Sequence, residues 1–216
     1  MAIAYDSSAI GALNTSIWTH ICAGVNNALI VYVYDYSAVN PTSVTYNGAA
    51  MALLTTGANA TGIYVYFIAP LSTGSFSVVI NTSSTNYRGM SVSYTGVSNS
   101  GQPDAQINFF NNSNSYVASI TVANSNCWKV ACGVAMDSGG DAVTVTASLT
   151  NRQSVSAHMG SYGVGLCLQD SNGIVATGTN STTFTGSGVT IVNTEGAVIT
   201  LIPARILNNG DFFAFF

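Results

Sequence analysis

Charge is what this sequence has least of. Only 6% of its 216 residues are charged, four Lys and Arg against eight Asp and Glu, where soluble domains average roughly 25%. The four cations, Arg88, Lys129, Arg152 and Arg205, stand singly along the chain. A nucleic-acid surface neutralises phosphates with clustered Lys and Arg, so no nucleic-acid partner is expected. Long apolar runs are also missing. The runs Ala28 to Tyr34 and Gly62 to Ala69 fall well short of the roughly 18 residues that cross a bilayer as a helix, so no membrane partner is expected either. The first residues, MAIAYDSSAIGALNTS, hold neither a basic segment nor a sustained apolar one and are not expected to direct secretion. Scarce charge does not imply disorder here, because 48% of the residues are hydrophobic and disorder needs low hydrophobicity or high charge.

Convergent chemical groups are scarce as well. Lys129 is the sole lysine and no G-x-x-x-x-G-K run occurs, which removes a P-loop. His20 and His158 lie far apart with no Cys or carboxylate at ligand spacing, so zinc is not expected. Asp137 with Asp141, and Asp170 with Asn172, offer two side-chain oxygens per loop, whereas calcium takes six to eight. Turn chemistry accounts for both pairs, since Asp and Asn bond to nearby backbone. Asp137-Ser138-Gly139-Gly140 resembles the nucleophile segment of trypsin-like proteases. A triad would need Ser138 activated by His20, with Asp35 or Asp104 behind it. Met136 stands where that segment has Gly, and a hairpin turn explains the run equally. Lys129 and Glu195, each the only residue of its type, could serve as the lysine and the acid catalyst of an intramolecular Lys–Asn or Lys–Asp crosslink. The simpler expectation puts Lys129 on the solvent side of its strand. No catalytic, metal or cofactor residue is therefore assigned, and an enzyme is not expected.

What the chain does have is alternation. Phe76, Val78 and Ile80; Met90, Val92 and Tyr94; Ala118, Ile120 and Val122; and Val143, Val145, Ala147 and Leu149 each take every second place, with hydroxyl residues mostly between. That period of two gives strands with one apolar and one wet face. Further strands are predicted at 28–36, 43–47, 50–55, 62–69, 105–110, 127–136, 161–169, 188–193 and 196–202, with a tight hairpin turn at Asn47-Gly48. Helix is limited to a turn at 7–14 or 48–54. The expected fold is all-β, an antiparallel β-sandwich of jelly-roll-like form over residues 1–205, followed by an aromatic tail at 206–216. Two tandem immunoglobulin-like sandwiches split near 97–104 are the alternative; the sequence displays no internal repeat. The stretch 111–115 is a second break.

Two strands are apolar on both faces. Tyr32, Tyr34 and Tyr36 share one face of 29–36, and Tyr64 and Tyr66 one face of 63–68. They fit either central strands covered on both sides or a Tyr-rich face for a partner subunit or a sugar. The tail, Asn208-Asn209-Gly210-Asp211-Phe212-Phe213-Ala214-Phe215-Phe216, would leave an apolar patch in water that soluble monomers rarely keep. It is expected either to fold back on its own sandwich or to dock on a neighbour through Phe212, Phe213, Phe215 and Phe216. Cys22, Cys127, Cys132 and Cys167 are expected as buried reduced thiols.

The run Ser43-Val44-Thr45-Tyr46-Asn47-Gly48-Ala49-Ala50-Met51, the strand ending Ala69-Pro70, then Thr73-Gly74-Ser75-Phe76-Ser77-Val78-Val79-Ile80 and Met90-Ser91-Val92-Ser93-Tyr94-Thr95-Gly96-Val97 resemble, over about residues 15–205, β-sandwich structural proteins of tailed phages. These head-decoration or fibre proteins have relatives among the β-sandwich domains of bacterial surface proteins. The resemblance implies a non-enzymatic virion component, assembled in the host cytoplasm as a homo-oligomer with other virion subunits. The alternative is an extracellular or cell-surface adhesive module binding a glycan through exposed Tyr and Trp18.

Overall fold

A computed structural model describes residues 1–56 and 62–205. Its first nine strands are β1 (Ala4–Ile10), β2 (Ile17–Cys22), β3 (Ala28–Asp35), β4 (Ser43–Tyr46), β5 (Ala49–Ala50), β6 (Ala52–Thr56), β7 (Ile63–Ile68), β8 (Gly74–Asn81) and β9 (Tyr87–Thr95). The next eight are β10 (Gln106–Asn111), β11 (Ser115–Val122), β12 (Trp128–Asp137), β13 (Thr144–Thr146), β14 (Thr150–Met159), β15 (Tyr162–Asp170), β16 (Gly178–Ser187) and β17 (Ile191–Leu201). Among the described residues there is no helix. The 7–14 and 48–54 stretches contribute to β1, β5 and β6 instead.

The pairing is antiparallel and nested. In the first half β1 pairs with β9, β2 with β8, β3 with β7 and β4 with β5. A long hairpin folded over on itself in this way is a jelly roll. Its sheets run β1-β9-β3-β7-β6 and β2-β8-β4-β5. The second half repeats the plan, with β10 on β17, β11 on β16 and β12 on β15, in sheets β10-β17-β12-β15-β14 and β11-β16-β13. The jelly-roll winding, expected once over residues 1–205, is present twice, and residues 97–104, the split expected for the tandem alternative, lead from one sandwich to the other.

This repeat, invisible as sequence similarity, is visible in the backbone. Ala28 pairs with Tyr94 as Trp128 pairs with Leu201, and Val33 with Gly89 as Gly133 with Gly196. The turn before β3 has Asn26 at φ 50° and that before β12 has Asn126 at φ 61°. Asp6 accepts the Ala23 N–H in the first turn, and Asp104 accepts the Ala123 N–H in the second.

The four sheets stack as layers around three cores. Alternation along β3 sends Leu29, Val31 and Val33 outward onto β4 and β8, and Ile30, Tyr32 and Tyr34 inward onto β12 and β15. β12 does the same in the second half. Trp128, Val130, Cys132, Val134 and Met136 face the central seam, while the small Ala131 and Ala135 face the outer core around Phe184. Gly133 sits beneath that ring, where a Cβ would lie 2.8 Å from it. Across the seam β1 packs on β14 and β6 on β10. First-half edge one meets second-half edge two and the reverse, the reciprocity of a two-fold interface.

Some boundaries depart from expectation for physical reasons. β17 runs unbroken where two strands are predicted. β13 stops early because Ser148 takes a φ of 50°. β1, β14 and β16 escape the alternation pattern because they are polar: β14 reads TNRQSVSAHM and β16 GTNSTTFTGS. The 111–115 break is the turn from β10 to β11.

Candidate functional site

The tyrosines proposed as a docking face are internal. Tyr32 and Tyr34 are buried in the seam, and Tyr64 and Tyr66 face the opposite way, buried under the outer sheet of the first half. Tyr36 is half-buried against Tyr162, ring centroids 5.7 Å apart. Their expected exposure is corrected because a second sandwich of the same chain covers one side of β3 and β7 and the outer sheet covers the other. Phe212, Phe213, Phe215 and Phe216 lie outside the described residues. Trp18 is no sugar platform either, since its ring lies over Gly89 and its indole N–H donates to Ser91 Oγ at 3.0 Å.

The seam carries a polar bolt that sequence reading missed. Arg152 on β14 grips Asp170 on β15 with two bonds, Nε to Oδ2 at 2.7 Å and Nη2 to Oδ1 at 2.9 Å. The first half completes it. Tyr94 donates to Asp170 Oδ2 at 2.8 Å, and the guanidinium lies 4.0 Å from the centre of the Tyr5 ring. Ser8 donates to the Arg152 carbonyl and accepts from Gln153 Nε2. Burial, reinforced by the Asp170 charge, pushes the Tyr94 hydroxyl well above its ordinary value. No short motif marks this cluster, because it joins residues from opposite ends of the chain.

A second polar cluster surrounds His20, which is 0% exposed. Nδ1 lies 2.8 Å from Ser91 Oγ, and Nε2 lies 3.0 Å from Ser93 Oγ. Ser93 donates to Asp6 Oδ2 at 2.7 Å. A carboxylate only accepts, so Ser93 gives its proton to Asp6 and accepts from the Nε2–H of His20. Ser91 accepts from the Trp18 indole and lies within hydrogen-bond reach of both Nδ1 and the Ala9 carbonyl. Burial lowers its pKa to about 4, against an opposing pull from Asp6. Both ring nitrogens are taken and water has no access, which leaves nothing for general-base work.

Comparison with known protein families, curated proteins and solved structures gives no match.

The remaining candidates resolve one by one. Ser138 lies in the turn after β12 of the second half, away from the partners of His20. Asp35 accepts the Ser37 N–H, and Asp104 holds the 123–124 turn. The trypsin-like triad is not assembled. Asp137 is buried and accepts from Gly139 N, Thr190 N and Thr190 Oγ1 at 2.5 to 2.9 Å, bonds that hold its carboxyl below the usual range, the Thr190 backbone most. Arg152 Nη2 donates to Asn172 Oδ1 at 2.7 Å. Among the described residues no three His, Cys, Asp or Glu converge on a metal position.

Lys129 is not on a wet face. It does point away from Trp128 and Val130, but the β11-β16-β13 sheet covers that side. Its Nζ donates to the Ser181 carbonyl at 2.9 Å and lies 3.3 Å from Thr182 Oγ1. Glu195 faces the seam beside Tyr34, on the other side of the sheet, which separates it from Lys129 and removes the crosslink. Cys22, Cys127, Cys132 and Cys167 are free and buried. Burial raises the Cys127 thiol to about 11 and the Cys167 thiol to about 12, so both are poor nucleophiles.

Proposed function

We propose that this chain is a non-enzymatic building block that acts by assembling with copies of itself, as a capsid-decoration or fibre component of a virion. The observation that carries the reading is the outer surface. The exposed side of the β2-β8-β4-β5 sheet carries Ile17 (52% exposed) and Ile21 (58%) among Thr19, Ser75 and Ser77, with no charged side chain on β2, β4, β5 or β8. Flat, uncharged and partly apolar sheet faces suit packing against another subunit, where charged residues are depleted. The groups that could do chemistry, His20, Asp137, Asp170 and Lys129, are buried and bonded within the fold. That favours structure over catalysis.

The glycan-binding alternative is less favoured, because no aromatic ring among the described residues is fully exposed for stacking. Sedimentation velocity over a hundredfold concentration range tests the assembly reading. Self-association is expected. A chain that stays monomeric throughout overturns it.

A further inference from the structure

Two Asn-Gly steps lie among the described residues, Asn47-Gly48 and Asn172-Gly173, and the fold treats them differently. Both asparagines hold a left-handed backbone, with φ of 51° and 46°. Asn172 is gripped. Its Oδ1 accepts from Arg152 Nη2 at 2.7 Å, its N–H donates to Asp170 Oδ1 at 2.8 Å, and Ser171 Oγ donates to the Gly173 carbonyl at 2.6 Å. Asn47 is not. It is exposed at the tip of the β4–β5 hairpin, and among the described residues its carboxamide takes no hydrogen bond. Gly48 has φ 76°, so the pair forms a type I′ turn. Nothing lies within 4 Å of the place a Gly48 Cβ would take. The Asn47 N–H is spent on the Ser77 carbonyl at 3.0 Å, whereas the Gly48 N–H has no backbone partner among the described residues.

A free carboxamide followed by a free amide on a residue without Cβ can react with its own backbone. We infer that Asn47 is a modification site, where the chain turns a neutral carboxamide into a carboxylate with water as co-reactant. The Gly48 nitrogen attacks Asn47 Cγ and gives up its proton. The Cγ–Nδ2 bond breaks, ammonia leaves with that proton, and a succinimide ring closes. Water then opens the ring at either carbonyl, leaving aspartate or isoaspartate. Nothing is oxidised or reduced. The product carries charge where its surroundings have none. β2, β4, β5 and β8 hold no charged side chain, and the turn is tied to the middle of β8 through Ser77. Resting on the assembly reading, the new carboxylate loosens the packing of this sheet on a second copy, because interface cores are depleted in charge and an unpaired charge is costly to bury.

Peptide mapping with isoaspartate detection reads the chemistry, on the full chain kept at mildly alkaline pH, folded and in urea. In the folded protein residue 47 should convert at least ~10-fold faster than residue 172, whose side chain must first leave a bond from Arg152. In urea the two should convert alike, since both precede glycine. If Asn47 stays intact in the folded protein while it converts in urea, the site is overturned. Equal conversion of the two in the folded protein overturns it as well. Sedimentation of Asn47→Asp and Asn47→Gly reads the consequence. The aspartate variant should weaken self-association about tenfold or more. The glycine variant, equally suited to positive φ, should associate as the unaltered chain does. Equal association of the two variants overturns the loosening. If the unaltered chain never associates, the assembly reading falls and the loosening with it, while the mapping still decides the site.

Discussion

Tyr94 and Asp170 meet across the seam of the molecule, the phenol of the first sandwich donating to a carboxylate of the second at 2.8 Å. Asp170 is fully buried and its ion-pair partner Arg152 is nearly so. Removing one member of such a pair leaves a charge without compensation, at about 3–5 kcal/mol. Asp170→Asn should therefore lower unfolding stability by that order in urea titration. Tyr94→Phe should lose about 1.5–3 kcal/mol, the range for a bond to a charged acceptor. A double-mutant cycle on the two positions should show strong coupling; simple additivity would mean that the bolt does not act as a unit.

Stability should fall in mild acid because of His20. Its folded pKa is about 4 against an ordinary 6.5, so between those values the unfolded chain binds the proton and the native one does not. Stability then rises with pH through this window and is lost as pH falls from about 6.5 toward 4. The shift corresponds to about 3 kcal/mol at full extent. Melting temperatures of the protein and of His20→Gln from pH 4 to 7 check this, since the variant should show a shallower slope. Equal slopes would place the titration elsewhere.

Gly89 is a packing requirement. A Cβ there would lie 2.3 Å from the Trp18 ring. Gly89→Val should destabilise by about 1–3 kcal/mol or more, as overpacking does. Trp18→Leu in the same chain should recover part of the loss, which thermal unfolding of the single and double variants would reveal.

Asn26 and Asn126 should answer alike to the same change. Each holds a left-handed backbone at the matching turn, a conformation that disfavours β-branched residues by roughly 1–2 kcal/mol. Asn26→Val and Asn126→Val should both destabilise by that order, while Asn→Gly at either place should be nearly neutral. Chemical denaturation of the four variants would show whether the repeat holds energetically as well as geometrically.

Alternation made the central strands legible. β3, β7, β9, β12 and β15 are apolar enough to declare themselves, and Asn47-Gly48 marks its hairpin through a required backbone conformation. The polar edge strands β1 and β14 did not, because one face of each meets water and the other meets polar groups such as Ser8 and Arg152. The repeat hid for a related reason. A sheet position needs only a side chain of fitting size and polarity, so Ala28 and Trp128 can occupy equivalent places. The clusters around His20 and Asp170 bring together residues more than seventy positions apart, and no local spacing foretells such a meeting. The two Tyr-rich strands are apolar on both faces because the outer sheet of the first half covers one side and the other half of the same chain covers the other.

The reciprocal packing of the halves has an evolutionary reading as well as a mechanical one. Two identical subunits related by a two-fold axis must alter together, because every substitution appears on both. Two sandwiches tethered in one chain escape that constraint while keeping the shared interface. This molecule uses the freedom: a buried histidine lies under one outer sheet and a buried lysine under the other. A tethered pair can thus offer neighbours two dissimilar faces, and an array built from it can have direction.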